Sequence, residues 1–268
     1  MLKRLIILAL ALTPAALAHA QAADIPTVSP PSTTQQASEQ KARTLLTQMV
    51  TALGGAAWLN RHDWLEEGHY ANFYQGNPSE GGTTVFRDYR LGTGYERIVF
   101  TKKHDVVQIY TPTGGFEVTY KGKTPLPQPQ VEDYLRRRAH SIEAIVTTWI
   151  NTPGVMVVYE GTTMVQRRMA DKISILSPTN DAVTLELDAN SHLPLRRTFE
   201  WRNLTYKDHD EDAEEYDVYH EFQGIQTPLT VTRYRNGDMT NQRFYSKVTY
   251  NINPDPALFD PDQPLRKK

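Results

Sequence analysis

The sequence predicts a mostly β protein of the α+β class, in which one strongly curved antiparallel sheet wraps around two main helices. Only two segments repeat apolar residues at helical spacing, whereas most of the chain from Trp64 onward alternates with a period of two. Short turn signals separate the alternating segments, as expected of antiparallel hairpins. Because two helices cannot cover both faces of so many strands, the sheet has to curve around them.

The overall composition excludes several classes of function. The 268 residues are 39% hydrophobic and 22% charged, which is the balance of a globular chain with a sizeable core. The formal net charge of −2 argues against a nucleic-acid partner, because phosphate binding needs an excess of basic residues. The sequence contains no cysteine, which excludes disulfides, iron–sulfur clusters, thiolate zinc sites, cysteine nucleophiles and a lipid anchor on cysteine.

The first twenty residues have the three parts of a secretory signal peptide. Two basic residues come first, residues 5–12 form a short apolar run, and Ala18-His19-Ala20 places small residues before a cleavage site. A membrane anchor is the alternative, but the apolar run is far shorter than the roughly 20 residues that span a bilayer. We therefore expect export to the periplasm with cleavage after Ala20. Residues 21–37 should then form a flexible leader.

Two amphipathic helices are predicted. The first begins near Ser38, which would act as its N-cap, and ends at Gly54-Gly55. The second follows an extended, proline-rich connector at residues 123–130 and ends at Pro153-Gly154. Their apolar positions recur every three or four residues: Ala42, Leu45, Leu46, Met49, Val50 and Leu53 in the first, and Val131, Tyr134, Leu135, Ile142, Ile145, Val146 and Trp149 in the second.

Strands are predicted for the rest of a single domain at residues 38–262, which a basic tail at 263–268 follows. Residues 64–120 form a meander of short strands with glycine-rich turns. After the second helix the period of two returns, and Asp188-Ala189-Asn190-Ser191 and Asn236-Gly237 are the predicted hairpin turns. The later strands are expected near 155–160, 172–177, 183–188, 197–202, 216–222, 229–235 and 244–250.

Several short motifs occur in an order typical of one family. Gly94-Tyr95-Glu96-Arg97-Ile98 and Gly114-Gly115-Phe116-Glu117-Val118 resemble the early strands of the periplasmic lipoprotein-sorting carriers of the LolA and LolB type. Leu187-Asp188 and Leu193-Pro194-Leu195-Arg196 resemble a hairpin in relatives of those carriers, where an Asp ends one strand and a Leu-Pro pair opens the next. The resemblance covers about residues 38–259, and its further motifs are Phe222-Gln223-Gly224-Ile225, Pro228, Val248-Thr249-Tyr250-Asn251 and Ala257-Leu258-Phe259.

This resemblance implies a half-open antiparallel barrel that helices close over an apolar cavity, used to carry acyl chains across the periplasm. The ligand would be the acyl chains of lipids or lipoproteins, and envelope membrane proteins would be further partners. The connector at 123–130 and the second helix would be the mobile cover, because a segment with few apolar anchors opens at low cost.

The ligand-binding residues are expected on the concave face of the sheet, if the strands alternate as the pattern indicates. Arg138 interrupts the apolar stripe of the second helix. It would either reach a lipid headgroup or a sheet carboxylate at the cavity mouth, or lie along the sheet rim. A lipid cavity and a filled core have the same composition, so both stay open. The cavity residues are Ile98, Phe100, Phe116, Val118, Leu185, Leu187, Phe199 and Trp201 from the strands, with Ile142, Ile145 and Trp149 from the helix.

No catalytic residue, metal site or cofactor is predicted. The eight histidines form no His-Glu-x-x-His motif. Asp208, Asp210, Asp212 and Glu214 alternate like calcium ligands but lack the glycine and the closing glutamate of an EF-hand loop, which favours a solvated acidic loop. Ser38-Glu39-Gln40-Lys41 has the spacing of penicillin-recognising enzymes without the rest of their signature.

The function predicted from the sequence is therefore a soluble periplasmic carrier or binding protein for acyl chains, and not an enzyme. Two alternatives remain open. One is an envelope regulatory or interaction protein that uses the same fold to sense lipoproteins or to grip a partner. The other is a hydrolase or metal-dependent enzyme, which would need polar groups that converge inside the cavity.

Overall fold

The structure is a computed structural model, which describes residues 33–79, 82–100, 105–203, 205–263 and 265. The predicted signal peptide, most of the predicted leader and most of the predicted tail lie outside these ranges. Among the helices that fall within them, none combines the length and the apolar character needed to cross a membrane.

The described residues form fourteen strands of one antiparallel sheet, as the period of two predicts. The strands are β1 (Asp63–Tyr74), β2 (Asn77–Pro78), β3 (Thr84–Leu91), β4 (Glu96–Val99), β5 (Val107–Tyr110), β6 (Gly115–Thr119), β7 (Gly122–Pro125), β8 (Met156–Val165), β9 (Arg168–Leu176), β10 (Ala182–Asp188), β11 (Pro194–Asn203), β12 (Asp208–Phe222), β13 (Ile225–Arg235) and β14 (Asp238–Tyr250).

The strand order shows a curved sheet that does not close. Across the sheet the order is β7-β6-β5-β4-β3-β1-β14-β13-β12-β11-β10-β9-β8, while β2 pairs with β1 off this path. Neighbours in the sheet are neighbours in sequence, except that β1 joins β14 and so connects the two halves of the chain. The edges β7 and β8 remain apart, which confirms the predicted half-open, mostly β architecture.

Four α-helices accompany the sheet in the described ranges, instead of the two predicted. They are α1 (Thr33–Leu53), α2 (Ala56–Leu59), α3 (Gln128–Ala139) and α4 (Ile142–Thr147), and short 3-10 helices cover Trp149–Asn151 and Pro256–Phe259. The predicted second helix is thus two helices. The break has a local cause, because Ser141 caps α4 by accepting a hydrogen bond from the Ala144 amide at 3.2 Å.

The start of α1 differs from the prediction. The helix begins at Thr33, so residues 33–37 belong to it and not to a leader. Ser38 is therefore inside the helix and is not its N-cap. Its hydroxyl instead bonds the backbone of Tyr159 on β8, accepting from the amide at 3.0 Å and donating to the carbonyl at 3.1 Å. This contact satisfies backbone groups of an edge strand that no further strand pairs.

The proline-rich segment is more ordered than predicted. The first three residues of the expected connector, residues 123–125, belong to β7 (Gly122–Pro125), and α3 begins at Gln128. Pro129 is tolerated because it lies in the first turn of α3, where a backbone amide has no helical partner to lose. Only Leu126 and Pro127 connect the two elements, so an eight-residue extended connector does not exist.

Both predicted hairpin turns are confirmed. Asp188 ends β10, and its Oδ1 accepts hydrogen bonds from the amides of Asn190 and Ser191 at 3.0 and 2.8 Å. Asn236 and Gly237 join β13 to β14 with φ of +51° and +83°, the left-handed pair that a two-residue hairpin turn requires.

The main core lies between the helices and one face of the sheet, which we call the inner face; the opposite face is the outer face. Side chains of α1 and α4 pack there against strands β8 to β11. The buried members of this core include Ala42, Leu45, Leu46, Met49 and Leu53 of α1, Ile145 and Val146 of α4, and Val157, Ile173, Ile175, Val183, Leu185, Leu187 and Phe199 of the sheet.

Candidate functional site

The predicted cavity residues on β10 and β11 belong to the filled main core. Leu185 and Leu187 are completely buried, and Phe199 is 2% exposed. They contact not only Ile145 of α4, as predicted, but also the apolar stripe of α1. The sequence predicted that stripe but not its partner. This part of the inner face is therefore packed protein and leaves these side chains no solvent-facing surface.

Three further predicted residues lie at the border of the main core. Ile142 packs against it, and Trp149 does so while its indole Nε1 donates to the carbonyl of Ala139 at 2.9 Å. Trp201 lies where the apolar part of the inner face ends. Its ring contacts two guanidinium groups, with the Arg136 and Arg235 carbons 4.4 and 4.1 Å from ring centroids.

Phe116 and Val118 lie on the outer face, so their predicted concave position is wrong. They form a separate cluster with Val99, Val107 and Ile109, against which Leu265 of the C-terminal segment packs. Strand β4 shows why alternation did not predict the correct face. Ile98 faces α3, while its neighbour Val99 faces the cluster on the outer face, so both sides of the strand carry buried apolar residues. Both faces of this region are covered, and apolar residues then occur on both sides of each strand.

Ile98 and Phe100 do lie on the inner face, beneath α3. Ile98 is buried with Tyr110, Val131 and Tyr134, and Phe100 packs against the same group. The rings of Tyr110 on β5 and Tyr134 on α3 stack with centroids 3.9 Å apart. These contacts seat α3 on the half of the sheet that α1 and α4 leave uncovered.

Four aromatic rings form a surface beside α3 that the sequence analysis missed, apart from Phe100. We call Tyr70, Phe86, Phe100 and Tyr245 the aromatic cluster. Centroids of neighbouring rings lie 5.6 to 6.2 Å apart, in edge-to-face arrangements. Phe86 is buried, whereas the other three rings are only half-buried. Period-two alternation in β1, β3 and β14 could have indicated these residues, but cross-strand register decides that they meet.

Charged side chains occupy the inner face next to the aromatic cluster. We call Glu66, Asp88, Arg90, Glu96 and Arg243 the first charge cluster. Asp88 Oδ2 accepts from Arg90 Nε and Nη2 at 3.0 and 2.8 Å, and Arg243 Nη1 lies 3.5 Å from the same oxygen. Asp88 is completely buried. Polar groups thus converge here, where guanidinium groups hold the carboxyl groups.

Burial and the neighbouring guanidinium groups shift the pKa values of these carboxyl groups in different directions. It raises the pKa of Asp88 well above its usual range and also raises that of Glu66. Burial acts in the same direction on Glu96, but Arg90, Arg243 and hydrogen bonds with Tyr134 and Asp88 outweigh it, so the pKa of Glu96 is lowered. The three carboxyl groups therefore differ in how strongly the folded protein favours their ionised form, with Glu96 favoured most.

The acidic run near residue 210 is part of β12 and not a solvated loop. Asp210, Asp212 and Glu214 alternate because they share the inner face of that strand. Arg233 donates to Asp212 Oδ2 from Nε and Nη2 at 2.8 and 2.7 Å. Arg197 Nη2 lies 3.4 Å from Asp212 Oδ1 and 3.1 Å from Glu214 Oε2. In the described ranges no group of three or more acidic or histidine residues is arranged to hold a metal ion.

We call Asp210, Asp212, Glu214, Arg197 and Arg233 the second group of charges. Helix α3 forms ion pairs with this group. Asp133 lies 3.1 Å from Arg233 Nη2 and 3.0 Å from Arg235 Nη1, and it also pairs with Arg137 of the same helix. Arg138 donates from Nη1 to the carbonyl of Gly94 at 2.6 Å. Arg138 therefore lies at the sheet rim, on the β3–β4 turn, and among the residues that the structure describes it pairs with neither a carboxylate nor a ring of the aromatic cluster.

Glu214 makes an acid-dependent contribution to stability. Burial alone would raise its pKa, but Arg197, Arg233, Arg137 and a hydrogen bond from Tyr216 lower it to about 2 from an ordinary 4.5. Because the folded state holds the ionised form more tightly, this stabilisation is present above the ordinary pKa and disappears as pH falls toward about 2.

We expect Glu214→Gln to lower the urea midpoint at neutral pH, and the difference from wild type to shrink below about pH 5. Glu221→Gln, an exposed position on the same strand, is the control; a Glu214→Gln deficit that did not change with pH would contradict this account.

Comparisons with known proteins show similarity in structure alone. No protein-family model matches the sequence, and no curated protein does either. Among solved structures, a DUF1329 family protein from Desulfovibrio piger has a TM-score of 0.55 at 11% identity, covering 82% of this chain and 97% of its own. An outer membrane lipoprotein-sorting protein domain from Vibrio parahaemolyticus has a TM-score of 0.53 at 11% identity, covering 84% of this chain and 97% of its own.

A LolA superfamily protein from Nitrosomonas europaea is also similar, with a TM-score of 0.48 at 10% identity over 81% of this chain and 96% of its own. Sequence identities near one residue in ten are evidence for a shared fold but not for a shared activity. The first two structures nevertheless match almost their whole length to the curved sheet and its helices. The chain therefore shares its fold, a LolA-like curved sheet with its helices, with these two structures.

Proposed function

We propose that the protein is a non-catalytic carrier or binding protein for the acyl chains of lipids or lipoproteins in the bacterial periplasm. The observation that carries this proposal is the half-buried aromatic cluster on the inner face of a LolA-like sheet. Half-buried rings grouped on a concave surface are the kind of lining that apolar ligands use. Export, which the signal-peptide pattern predicts, would place this surface in the envelope.

The proposed ligand site is smaller than the cavity predicted from the sequence. Of the predicted residues, Ile98 and Phe100 remain part of it, joined by Tyr70, Phe86 and Tyr245. An acyl chain on these rings would remove apolar surface from water at about 0.8 kcal/mol per methylene group. Because the main core is filled by α1 and α4, a chain would have to lie on the part of the sheet next to α3.

Helix α3 is the proposed mobile cover. Leu135 packs against the same buried group as Phe100, but many of the contacts of this helix are polar, among them the Asp133 ion pairs and the 2.9 Å hydrogen bond from Gln130 to the Tyr110 hydroxyl. The side chains in the Asp133 ion pairs are 21–32% exposed, so water can reach them, and ion pairs that water reaches contribute typically about 0–1 kcal/mol each. We therefore propose that α3 moves aside when the ligand enters, while α1 and α4 stay in place.

Binding of cis-parinaric acid, whose fluorescence rises in an apolar site, tests the proposed function. We expect micromolar or tighter binding by the mature protein. Tyr245→Ser should weaken it by about tenfold or more, because it removes a ring of the aromatic cluster. Phe244→Ser is the matched control, since Phe244 is the adjacent residue on β14, 39% exposed on the outer face.

The proposal fails if the wild-type protein binds no acyl probe, or if both variants bind as wild type does. Circular dichroism melts of both variants separate lost binding from lost folding. Absence of binding in a folded wild-type protein would favour the regulatory or interaction protein, which uses the same fold without an acyl ligand.

A further inference from the structure

We infer that the ligand of the aromatic cluster is an anionic amphiphile, and that Arg243 binds its charged headgroup. This inference rests on the proposed function, because it assigns a head to a chain that lies on the cluster. It concerns the junction between the aromatic cluster and the first charge cluster. The shared ligand chemistry is a carboxylate or phosphate group at the end of an acyl chain.

The position of Arg243 places its guanidinium beside the proposed chain. In the β1–β14 pairing Arg243 lies opposite Tyr70, so both side chains project from the inner face. The guanidinium carbon is 5.7 Å from the Phe86 ring centroid. Tyr245, two residues along β14, contributes the next ring of the cluster. A headgroup on Arg243 would therefore leave its acyl chain next to three of the four rings.

The guanidinium of Arg243 has donor capacity to spare. Within the described ranges its one ion pair under 4 Å is with Asp88 Oδ2, at 3.5 Å. That oxygen is already the acceptor of the two shorter hydrogen bonds from Arg90. A guanidinium has five N–H donors in a planar fork that suits bidentate binding of carboxylate or phosphate. The Arg243 side chain is 29% exposed, so a ligand can reach it.

The charge balance of the first charge cluster accepts an additional anion. With every carboxyl ionised, three negative charges would face the two guanidinium groups of Arg90 and Arg243. Burial disfavours that state and raises the pKa of both Asp88 and Glu66. Both shifts act to reduce the negative charge that an arriving ligand carboxylate or phosphate would meet beside Arg243.

A comparison of ligands with equal chains and different heads tests the inference. The probe is the uncharged dye phenylnaphthylamine bound to the mature protein at about pH 8, where a dissolved carboxylic acid is ionised. Lauric acid, dodecyl phosphate and dodecanol compete for the dye. We expect lauric acid and dodecyl phosphate to displace it at concentrations about tenfold or more below that of dodecanol. The ratio of the concentrations at which lauric acid and dodecyl phosphate displace the dye shows whether the site prefers a carboxylate or a phosphate headgroup.

A set of variants identifies the residue responsible. Arg243→Met should remove most of the preference for the anions and leave dodecanol binding within about twofold of wild type, because the aromatic cluster is unchanged. Arg243→Lys keeps the charge without the planar fork and should retain part of the preference. Arg87→Met is the matched control, since Arg87 is an exposed residue of β3 that pairs with Glu67 on the outer face.

The outcomes separate this inference from the proposed function. Equal binding of acid and alcohol by the wild-type protein overturns the inference and leaves acyl binding intact, whatever the variants do. An anion preference that persists in a folded Arg243→Met variant also overturns it, because another group would then hold the head. Failure of all three amphiphiles to displace the dye would instead contradict the proposed function itself.

Discussion

Replacing Leu187 with Asp should unfold the protein at neutral pH. Leu187 is completely buried in the main core, between the apolar side chains of α1, α4 and the neighbouring strands. A carboxylate there has no partner and no water, and core substitutions of this kind destabilise by more than about 4–5 kcal/mol. That loss is comparable to the whole stability of an ordinary domain, about 5–15 kcal/mol. Urea unfolding followed by circular dichroism measures it.

Thr184→Asp is the control for this substitution. Thr184 lies three residues earlier on β10, on the outer face, and is only half-buried. We expect a loss of no more than about 1 kcal/mol there. If Leu187→Asp folded with a near-native urea midpoint, β10 would border an open cavity instead of a filled core, and the larger cavity predicted from the sequence would have to be reconsidered.

Arg197→Met is expected to have the second largest effect. The Arg197 side chain is 1% exposed and its guanidinium faces Asp212, Glu214 and the carbonyl of His140. Removing it leaves buried acids with one guanidinium fewer, and breaking one partner out of a buried ion-pair network costs about 3–5 kcal/mol. Thermal and urea unfolding at neutral pH measure the loss.

The neighbouring arginine supplies a matched control. Arg196 has the same chemistry and also pairs with acids, but it lies on the outer face with 35% of its side chain exposed. Arg196→Met should cost no more than about 1 kcal/mol, because exposed ion pairs contribute little. Adding Glu214→Gln to Arg197→Met should restore part of the loss, because Arg197 is the one ion-pair partner of Glu214 within the described ranges. Equal effects of the two single arginine variants would mean that the second group of charges is not truly buried.

Some patterns in this sequence predict local structure without any contribution from distant residues. Apolar residues that alternate with a period of two predicted the β-rich class, and Asn236-Gly237 predicted its hairpin, because both effects arise within a few neighbouring residues. Burial of Leu185, Leu187 and Phe199 was also predictable. The sequence did not predict that α1 fills the space above them, because an apolar stripe on a helix does not show which surface it packs against.

The misplaced residues share one physical origin. The sequence predicts Phe116 and Val118 on the inner face because alternation shows that a strand has two faces, without showing whether one or both are covered. Leu265 packs on the outer face here, and it is more than 140 residues away in the chain. Register then decides the side, because a shift by one residue moves every side chain to the opposite face.

The sequence by itself determined the β-rich curved sheet, the turns, the absence of cysteine chemistry and the resemblance that points to acyl chains. The tertiary structure decided where charge lies within that sheet. The acids of β12 become inner-face residues only because Arg197, Arg233 and α3 supply their partners from elsewhere in the chain. Likewise the aromatic cluster exists only where β1, β3, β4 and β14 meet. Both are long-range juxtapositions, and the energy that selects them comes from contacts between distant residues, which no local pattern contains.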